Sequence, residues 1–385
     1  MQPTLVPTST PARIAGLDAL RAVAVLAMVM GHTLDATLSA EARALPAMAT
    51  YWSFRGVTAP LFLTVAGWAV ANSLSRSGLQ GWAIARRYLP RAALLLFCGY
   101  LLRWPGWALE RFFSGEQKIW AHFLAADALH VIAGSLIIAI AVFGLTSRRP
   151  VRLGLVALLG IGLPLLAPFI LPGLQASLPF VLRQPLVDPS SNFPLIPWSA
   201  YFFLGVLLRG VMVSLPRLRP PLIAAILGGT LALLLTWTAA QHGWGPRQIF
   251  FWRFALLLLI AAVVLALPER VANFLAPVGR ASLWAYVLHL PITYGWSLMP
   301  GIGLPGLSWT VGKTLAPAQG LLLALAVTSL TVPLALLGKR YVSPLKKKVW
   351  HLVTTRLVPK PRPTPADFPV TPSLFTSEVN VRTRP

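Results

Sequence analysis

Three side chains that could do chemistry interrupt the apolar stretch at residues 16–33: Asp18, Arg21 and His32. A charged side chain at the centre of a membrane helix costs roughly 2.5–3.5 kcal/mol, so a functional reason is expected for it. Arg21 and His32 are 11 residues apart, close to three helical turns, so they share one face about 16 Å apart along the axis. Arginine suits phosphate groups, and histidine suits proton transfer near neutral pH. The stretch therefore predicts a phosphate-binding cation at one depth and acid–base chemistry at the other.

A structural explanation of the same side chains stays open. Asp18 and Arg21 could form an interfacial pair whose charged ends reach the aqueous boundary, and His32 could be a hydrogen-bonded packing residue. Asp35 lies one turn after His32, where it could hold the imidazole tautomer or face water at the helix end. The shared face of Arg21 and His32 favours the functional interpretation.

Polar side chains from several other segments are expected near the depth of His32, where they would surround one cavity. These candidate cavity residues are Arg55, Asp127, His130, Trp198, Ser199 and His289. Trp198 is equally well explained as an interface anchor, and a bond to a neighbouring helix would explain His289, which lies nearer the middle of its segment. No two histidines have zinc-ligand spacing with a third partner, so no metal site is predicted.

Composition indicates the class of protein. The 385-residue chain is 56% hydrophobic and 11% charged, whereas soluble domains carry about 25% charged residues. We therefore expect an all-α polytopic membrane protein with about ten spanning helices, since each span needs about 20 mostly apolar residues. The predicted spans are 15–36, 56–75, 89–109, 123–146, 152–171, 194–214, 221–240, 250–268, 281–299 and 317–338.

The net charge of +23 comes from 33 basic and 10 acidic residues. The basic residues stand in short groups after every second span, as the positive-inside rule describes. Nucleic-acid-binding proteins instead gather their basic residues on one face or arm. No nucleic-acid partner is therefore expected, and both termini are predicted to be cytoplasmic.

The chain is predicted to have one membrane domain flanked by polar ends. Residues 1–12 and 359–385 are too polar and Pro-rich to pack and are expected to be disordered. Between them lie the membrane domain, 13–338, and a basic juxtamembrane segment, 339–358. Charges interrupt the first apolar run and no small-residue cleavage site follows it, so we expect it to be retained. The single cysteine, Cys98, excludes a disulfide framework.

The pattern Leu17-Asp18-x-x-Arg21, followed by His32, resembles the first helix of the membrane-bound acyltransferase superfamily, which includes the acyltransferase-3 family. The chain looks closer to the branch that resembles the catalytic domain of heparan-α-glucosaminide N-acetyltransferase. Three further stretches stand at family-like places: 59–67, 193–205 and 279–289. The likeness runs over about residues 14–340, nearly the whole membrane region.

This resemblance implies transfer of an acyl group, usually acetyl, from cytoplasmic acyl-CoA to a sugar or glycolipid on the exoplasmic side. It implies that His32 is the catalytic histidine and that Arg21 belongs to the donor site. The other candidates are Asp35 and Asp127 for catalysis and Asp18, Arg86 and Arg87 for donor binding. Acetyl-CoA would be a co-substrate with no bound cofactor, and the accepting group a hydroxyl or an amine. Membrane lipids would surround the chain in a bacterial inner membrane.

Two questions stay open at this stage. His32 could act as a general base on the acceptor or carry the acyl group transiently. The buried charges would also suit a transporter or flippase for an anionic glycolipid, or a scaffold protein that has kept the fold without activity. A transporter would move its substrate without consuming acyl-CoA.

Overall fold

The computed structural model describes residues 15–146, 148–298 and 301–357, with the side chains of 53–55 and 343–357 excepted. The predicted disordered tails, 1–12 and 359–385, lie outside the described residues. Helices are the regular elements of the described part, together with one isolated bridge between Leu38 and Leu315. The prediction of an all-α membrane protein is confirmed.

The helices follow one another with short connections. In chain order they are α1 (Ala15–Thr37), α2 (Ala40–Ala44), α3 (Pro46–Arg55), α4 (Thr58–Ser77), α5 (Trp82–Leu102), α6 (Leu109–Phe113), α7 (Gln117–Leu124), α8 (Ala128–Leu145), α9 (Arg149–Ala157), α10 (Leu163–Ser177), α11 (Phe180–Leu186), α12 (Leu195–Ser214), α13 (Pro220–His242), α14 (Pro246–Leu265), α15 (Glu269–Arg280), α16 (Ser282–Tyr294), α17 (Leu307–Thr310) and α18 (Pro317–Leu357). A π-helical turn, Leu158–Gly162, joins α9 to α10.

Seven helices of the described chain are long and apolar enough to cross a membrane. They are α1, α8, α9 continued into α10, α12, α13, α14 and the part of α18 from Pro317 to Val342. The chain is therefore an integral membrane protein. The other three predicted spans correspond to α4 and α5, of 20 and 21 residues, and to α16, of 13 residues, and the count of ten stays a prediction.

The span predicted at 89–109 is displaced, because α5 begins at Trp82 and ends at Leu102. The prediction began the helix after Arg86 and Arg87, yet both side chains are exposed at the helix surface. The helix ends ahead of Pro105, which disfavours helical backbone in the preceding residue. Gly106 follows with φ +58°, and a Cβ there would lie 1.8 Å from the Ile302 carbonyl oxygen.

The segment predicted as one helix at 123–146 is two elements. Helix α7 ends at Leu124, and Asp127 then caps the N-terminus of α8 by accepting a hydrogen bond from the Leu129 N–H at 3.0 Å. The residues between them are non-helical. Asp127 is therefore the buried N-terminal cap of α8 and does not lie within a helix.

Four other spans also differ from the prediction. The span predicted at 152–171 is Arg149–Ser177, and the one predicted at 250–268 is Pro246–Leu265. Helix α16 is shorter than the predicted 281–299, because Gly295 has φ +88° and turns the chain out of the helix. Helix α18 is longer than the predicted 317–338 and continues to Leu357. The compact unit that carries the core includes residues up to Lys339.

Close backbone contact fixes the central pair of helices, α4 and α12. A Cβ on Gly67 would lie 1.8 Å from the Phe202 carbonyl oxygen, and one on Gly205 would lie 2.0 Å from the Thr64 carbonyl oxygen. Small residues allow this approach in membrane helix pairs. Phe202 and Phe203 are fully buried beside this contact, in the core that α4 and α12 share with α5 and α8.

Candidate functional site

Two histidine rings from distant parts of the sequence meet at the end of α1. His32 Nδ1 lies 2.9 Å from His289 Nε2, and the ring centroids are 5.1 Å apart with an interplanar angle of 13°. His289 is fully buried in α16, and its Nδ1 lies 2.8 Å from the Ala285 carbonyl oxygen. A hydrogen bond therefore connects α1 to α16 through the two imidazoles.

The carbonyl of Ala285 determines the tautomers of both neutral rings. A carbonyl oxygen only accepts, so His289 Nδ1 must carry the hydrogen and its Nε2 must accept. His32 Nδ1 then donates to His289 Nε2. In neutral His32 this leaves the lone pair on Nε2, the nitrogen that a general base or an acyl carrier uses.

Asp35 lies beside this pair and is held from two sides. Tyr294 donates its hydroxyl hydrogen to Asp35 Oδ2 at 3.1 Å, and Arg43 donates to Asp35 Oδ1 at 3.1 Å. The Tyr294 ring also packs edge-on against His32, with centroids 5.6 Å apart. Asp35 thus ties the end of α1 to α16 and to the short helix α2.

A second polar cluster surrounds Asp127. His130 Nδ1 lies 3.0 Å from Asp127 Oδ1, and Arg103 Nε lies 3.6 Å from Asp127 Oδ2. Asp127 and Arg103 are only 3% and 4% exposed. Burial alone would raise the pKa of Asp127, but His130, Arg103 and the Leu129 N–H outweigh it and lower the pKa below its ordinary value. The carboxylate is therefore ionised, and its Oδ2 has no hydrogen-bond donor among the described residues.

His122, on α7, joins the same cluster through its backbone and its ring. Arg103 Nη1 donates to the His122 carbonyl oxygen at 3.0 Å, and His122 Nε2 donates to the Ser297 carbonyl oxygen at 2.6 Å. Burial lowers the pKa of His122 to about 4, and the nearby Arg103 cation acts in the same direction. The ring is neutral at pH 7 and keeps a lone pair on Nδ1.

Both clusters face one cavity of about 600 Å³. Its polar and aromatic lining comprises His32, Asp35, Arg103, His122, Asp127, Ser190, Asn192, Phe193, Tyr286 and Tyr294. Three residues predicted for catalysis, His32, Asp35 and Asp127, therefore line the same cavity. Arg103 and Tyr294 were not predicted as site residues, and both lie inside predicted spans, 89–109 and 281–299.

A family model described as heparan-alpha-glucosaminide N-acetyltransferase, catalytic, matches residues 13–228, which is more than half of the 385 residues. The chain belongs to this family. The predicted resemblance is confirmed, and the family indicates a membrane acetyltransferase. The matched region contains His32, Arg103 and Asp127, whereas His289 lies beyond it. A comparison with curated proteins gave no significant match.

The residues predicted for donor binding in this acetyltransferase lie away from the cavity. Arg21 Nη1 lies 3.0 Å from Asp18 Oδ1, and Arg280 Nη1 lies 3.8 Å from Asp18 Oδ2. Asp18 is 6% exposed, and its backbone packs against Gly279 of α15. Arg86 and Arg87 are exposed on α5.

Three further predicted cavity residues, His130, Trp198 and Ser199, are absent from the described lining of the cavity. His130 contacts the Tyr100 ring at a centroid distance of 4.5 Å. Ser199 is buried, and Trp198 packs edge-on against Phe193 at 4.6 Å. The side chain of Arg55 lies outside the described residues.

Proposed function

We propose that this chain transfers an acetyl group from acetyl-CoA to a hydroxyl or amine of a sugar or glycolipid. The donor would enter from the cytoplasm of a bacterial cell and the acceptor from the exoplasmic side of the inner membrane. The family membership supports the acetyltransferase activity. The direction of transfer and the class of acceptor are parts of the proposal that the family membership does not establish.

The observation that carries the proposal is the imidazole pair at the wall of a polar cavity. The Ala285 carbonyl oxygen orients His289, and His289 orients His32, so the lone pair of His32 is held on Nε2 before any substrate binds. A buried packing histidine is hydrogen-bonded too, so it is the position of His32 on the lining of a polar cavity that favours a catalytic role. A group fixed in its reactive tautomer is what general base catalysis requires.

In the proposed reaction, His32 Nε2 removes the proton from the acceptor O–H or N–H as the acceptor attacks the thioester carbonyl carbon. The new O–C or N–C bond forms, the C–S bond breaks, and the protonated His32 returns its proton to the CoA sulfur as the thiol leaves. Positioned proton transfer of this kind contributes about 10²–10⁴-fold to the rate. A variant of the same chemistry passes the acetyl group through His32 Nε2, and the geometry is compatible with both.

Two other lining residues of the cavity are suited to hold the acceptor. Asp127 is ionised, so its carboxylate would accept a hydrogen bond from a hydroxyl or an amine. His122 Nδ1 would accept a second one, because the ring is neutral. Arg103 fixes both residues by its contacts with the carboxylate and with the His122 carbonyl.

Donor binding is proposed for the other end of α1. Arg21 is the family-like cation, and its planar guanidinium can hold phosphate oxygens in pairs. Asp18 orients it from one side, and Arg280 adds positive charge next to the same carboxylate. Arg86 and Arg87 are exposed cations on α5 that would attract the phosphates of CoA.

The test is a comparison of wild-type protein with His32→Ala. Membranes containing each protein receive acetyl-CoA labelled in the acetyl group, and labelled glycans and lipids are then separated and counted. We expect a labelled product from the wild type and none from His32→Ala, at equal amounts of folded protein. His242→Ala, which alters an exposed histidine at the end of α13, is the matched control and should keep full activity.

Two results would contradict the proposal. Wild-type turnover per folded molecule in His32→Ala would remove the histidine from the chemistry. Movement of an intact glycolipid across the membrane, with no acetyl-CoA consumed by the wild type, would favour a transporter.

A further inference from the structure

A second cavity lies at the opposite end of the helices from His32. The cavity beside His32 touches Asp127 at the start of α8, whereas this one, of about 610 Å³, touches Phe143 at the end of α8. Its walls come from the last turns of α4, α8 and α12 and the first turns of α5 and α9. It shares no residue with the candidate catalytic site.

Three arginines on two elements line this second cavity: Arg149 and Arg152 of α9, and Arg209 of α12. The described lining contains no acidic residue. Arg209 Nε donates to Asn72 Oδ1 at 3.1 Å and its Nη2 donates to Ser75 Oγ at 3.3 Å. Because both partners are neutral, they orient the guanidinium without cancelling its charge.

The rest of the lining is apolar and continues onto the outer surface of the helices. Leu153, Val211 and Val213 line the cavity and are 50%, 37% and 54% exposed. In an integral membrane protein such surface meets acyl chains. A ligand that fits both features has an anionic head for the arginines and an apolar tail for the open wall.

Packed aromatic and aliphatic side chains separate the two cavities. Phe202 and Phe203 are fully buried, and Leu136 is 1% exposed, in the core cluster that extends from Leu74 beside the arginines to Tyr286 beside His32. A thioester arm bound among these arginines would meet this packed layer before reaching His32. The proposed donor cation Arg21 also lies at the end of α1 away from His32, so it is the exposed apolar wall of the second cavity that favours a lipid over the acetyl donor.

We propose that the cavity formed by Arg149, Arg152 and Arg209 binds the phosphate of an anionic phospholipid, with the acyl chains against α9 and α12. Basic pockets between membrane helices are suited to anionic headgroups. The same phosphate chemistry is present in CoA, so the test must distinguish the two sources. The proposal does not depend on the acetyltransferase reaction.

The experiment measures lipid retention by native mass spectrometry of the full chain. The protein is reconstituted in membranes that contain equal amounts of phosphatidylglycerol and phosphatidylcholine. It is then extracted in mild detergent, and the molecules of each lipid that stay bound are counted. We expect phosphatidylglycerol to be retained by the wild type. Each Arg→Gln change should weaken the binding of phosphatidylglycerol about fivefold, which corresponds to about 1 kcal/mol per basic residue. The triple variant R149Q/R152Q/R209Q should therefore lose the preference for phosphatidylglycerol over phosphatidylcholine.

The matched control is R217Q/R219Q/R270Q, which removes the same charge from exposed positions outside the cavity. It should retain phosphatidylglycerol like the wild type, and equal loss in both triple variants would overturn the proposal. If R149Q/R152Q/R209Q is unstable, R149Q/R152Q leaves the Arg209 contacts in place and should show most of the loss. Displacement of the lipid by CoA at concentrations that saturate acetyl transfer would also overturn the proposal and assign the cavity to the donor.

Discussion

At the scale of single residues, His289 is the group that gives His32 a defined chemical state. The two residues are 257 positions apart in the sequence, yet their ring nitrogens lie 2.9 Å apart. His289 is not among the described lining residues of the cavity, and its Nε2 faces His32. It therefore acts as a positioning residue, and the effect of a substitution depends on whether the new side chain can accept the hydrogen bond from His32.

We predict that His289→Leu lowers turnover per folded molecule by about 10²-fold, because His32 Nδ1 loses its acceptor and the tautomer is no longer fixed. His289→Gln should retain most of the activity, because the amide oxygen can accept from His32 Nδ1 where the imidazole Nε2 stood. The measurement is acetyl transfer with thermal stability in detergent on the same samples. Equal loss of turnover in both variants would show that His289 has no role in orienting His32.

His122 predicts how stability depends on pH. Its pKa is about 4 in the folded protein against about 6.5 in an unfolded chain, so between these values the unfolded state binds more protons. The contribution is fully present above about pH 6.5 and is lost as the pH falls toward 4, by about 3 kcal/mol over the whole window.

The check is the unfolding midpoint of the purified protein between pH 7.5 and 4.5. His122→Gln keeps a donor for the Ser297 carbonyl oxygen but does not titrate, so its midpoint should fall less with pH than that of the wild type. Parallel curves for the two proteins would contradict a neutral, buried His122.

Residue types and helical spacing predicted His32, Asp35 and Asp127 at similar depth, and all three line one cavity, although His130, Trp198, Ser199 and His289 are absent from its described lining. Their roles in catalysis stay predictions. Residue types and spacing were not sufficient for Arg103 or for the contact between His32 and His289. Arg103 faces Asp127 only because α5 ends at Leu102 and the chain turns there. Such contacts depend on how helices end and pack, which local periodicity does not encode.

At the scale of elements, the close approach of α4 and α12 holds the two cavities in place. Both helices contribute to the walls of the arginine-lined cavity, and Phe193, just before α12, lines the cavity beside His32. The contact requires glycine at positions 67 and 205, where carbonyl oxygens occupy the space of a Cβ.

We predict that Gly67→Ala and Gly205→Ala each destabilise the fold by about 1–3 kcal/mol, the usual cost of overpacking. Gly210→Ala is the control on the same helix, because nothing lies within 4 Å of its Cβ position. It should leave stability unchanged or raise it by about 0.5–1 kcal/mol, as expected for Gly→Ala within a helix. The measurement is the unfolding midpoint in detergent, and a Gly67→Ala midpoint equal to that of Gly210→Ala would contradict the close packing.

The length of the apolar stretches predicted both ends of α1, α12 and α13 to within two residues. The need to span the bilayer sets the length of these helices. Apolar length failed for α5 and α8, whose ends carry Arg103 and Asp127. It also passed over the short helices α6, α7 and α11, which are too short for a periodic signal. Two of the mispredicted ends, those at Arg103 and Asp127, contribute to the candidate site, whereas the displaced start of α14 and the longer α18 do not.

At the scale of the whole molecule, charge separates the two ends of the bundle. The described lining of the cavity with Arg149, Arg152 and Arg209 has no acidic residue, whereas the cavity beside His32 contains the carboxylates of Asp35 and Asp127. The positive-inside rule predicts that the first end faces the cytoplasm. The cavity beside His32 would then open toward the exoplasmic side, as the proposed acceptor requires.

This orientation is tested with reporter fusions in loops that the structure places between helices. Fusions after Gly78, Arg148 and Arg217 follow α4, α8 and α12, and all three should report the cytoplasm. Fusions after Asp188 and Gly243 should report the outside. Asp188 is the decisive position, because Ser190 and Asn192, which follow it, line the cavity beside His32. A cytoplasmic signal at Asp188 together with an outside signal at Arg148 would place His32 on the same side as cytoplasmic acetyl-CoA, and the acceptor would then have to be a cytoplasmic molecule.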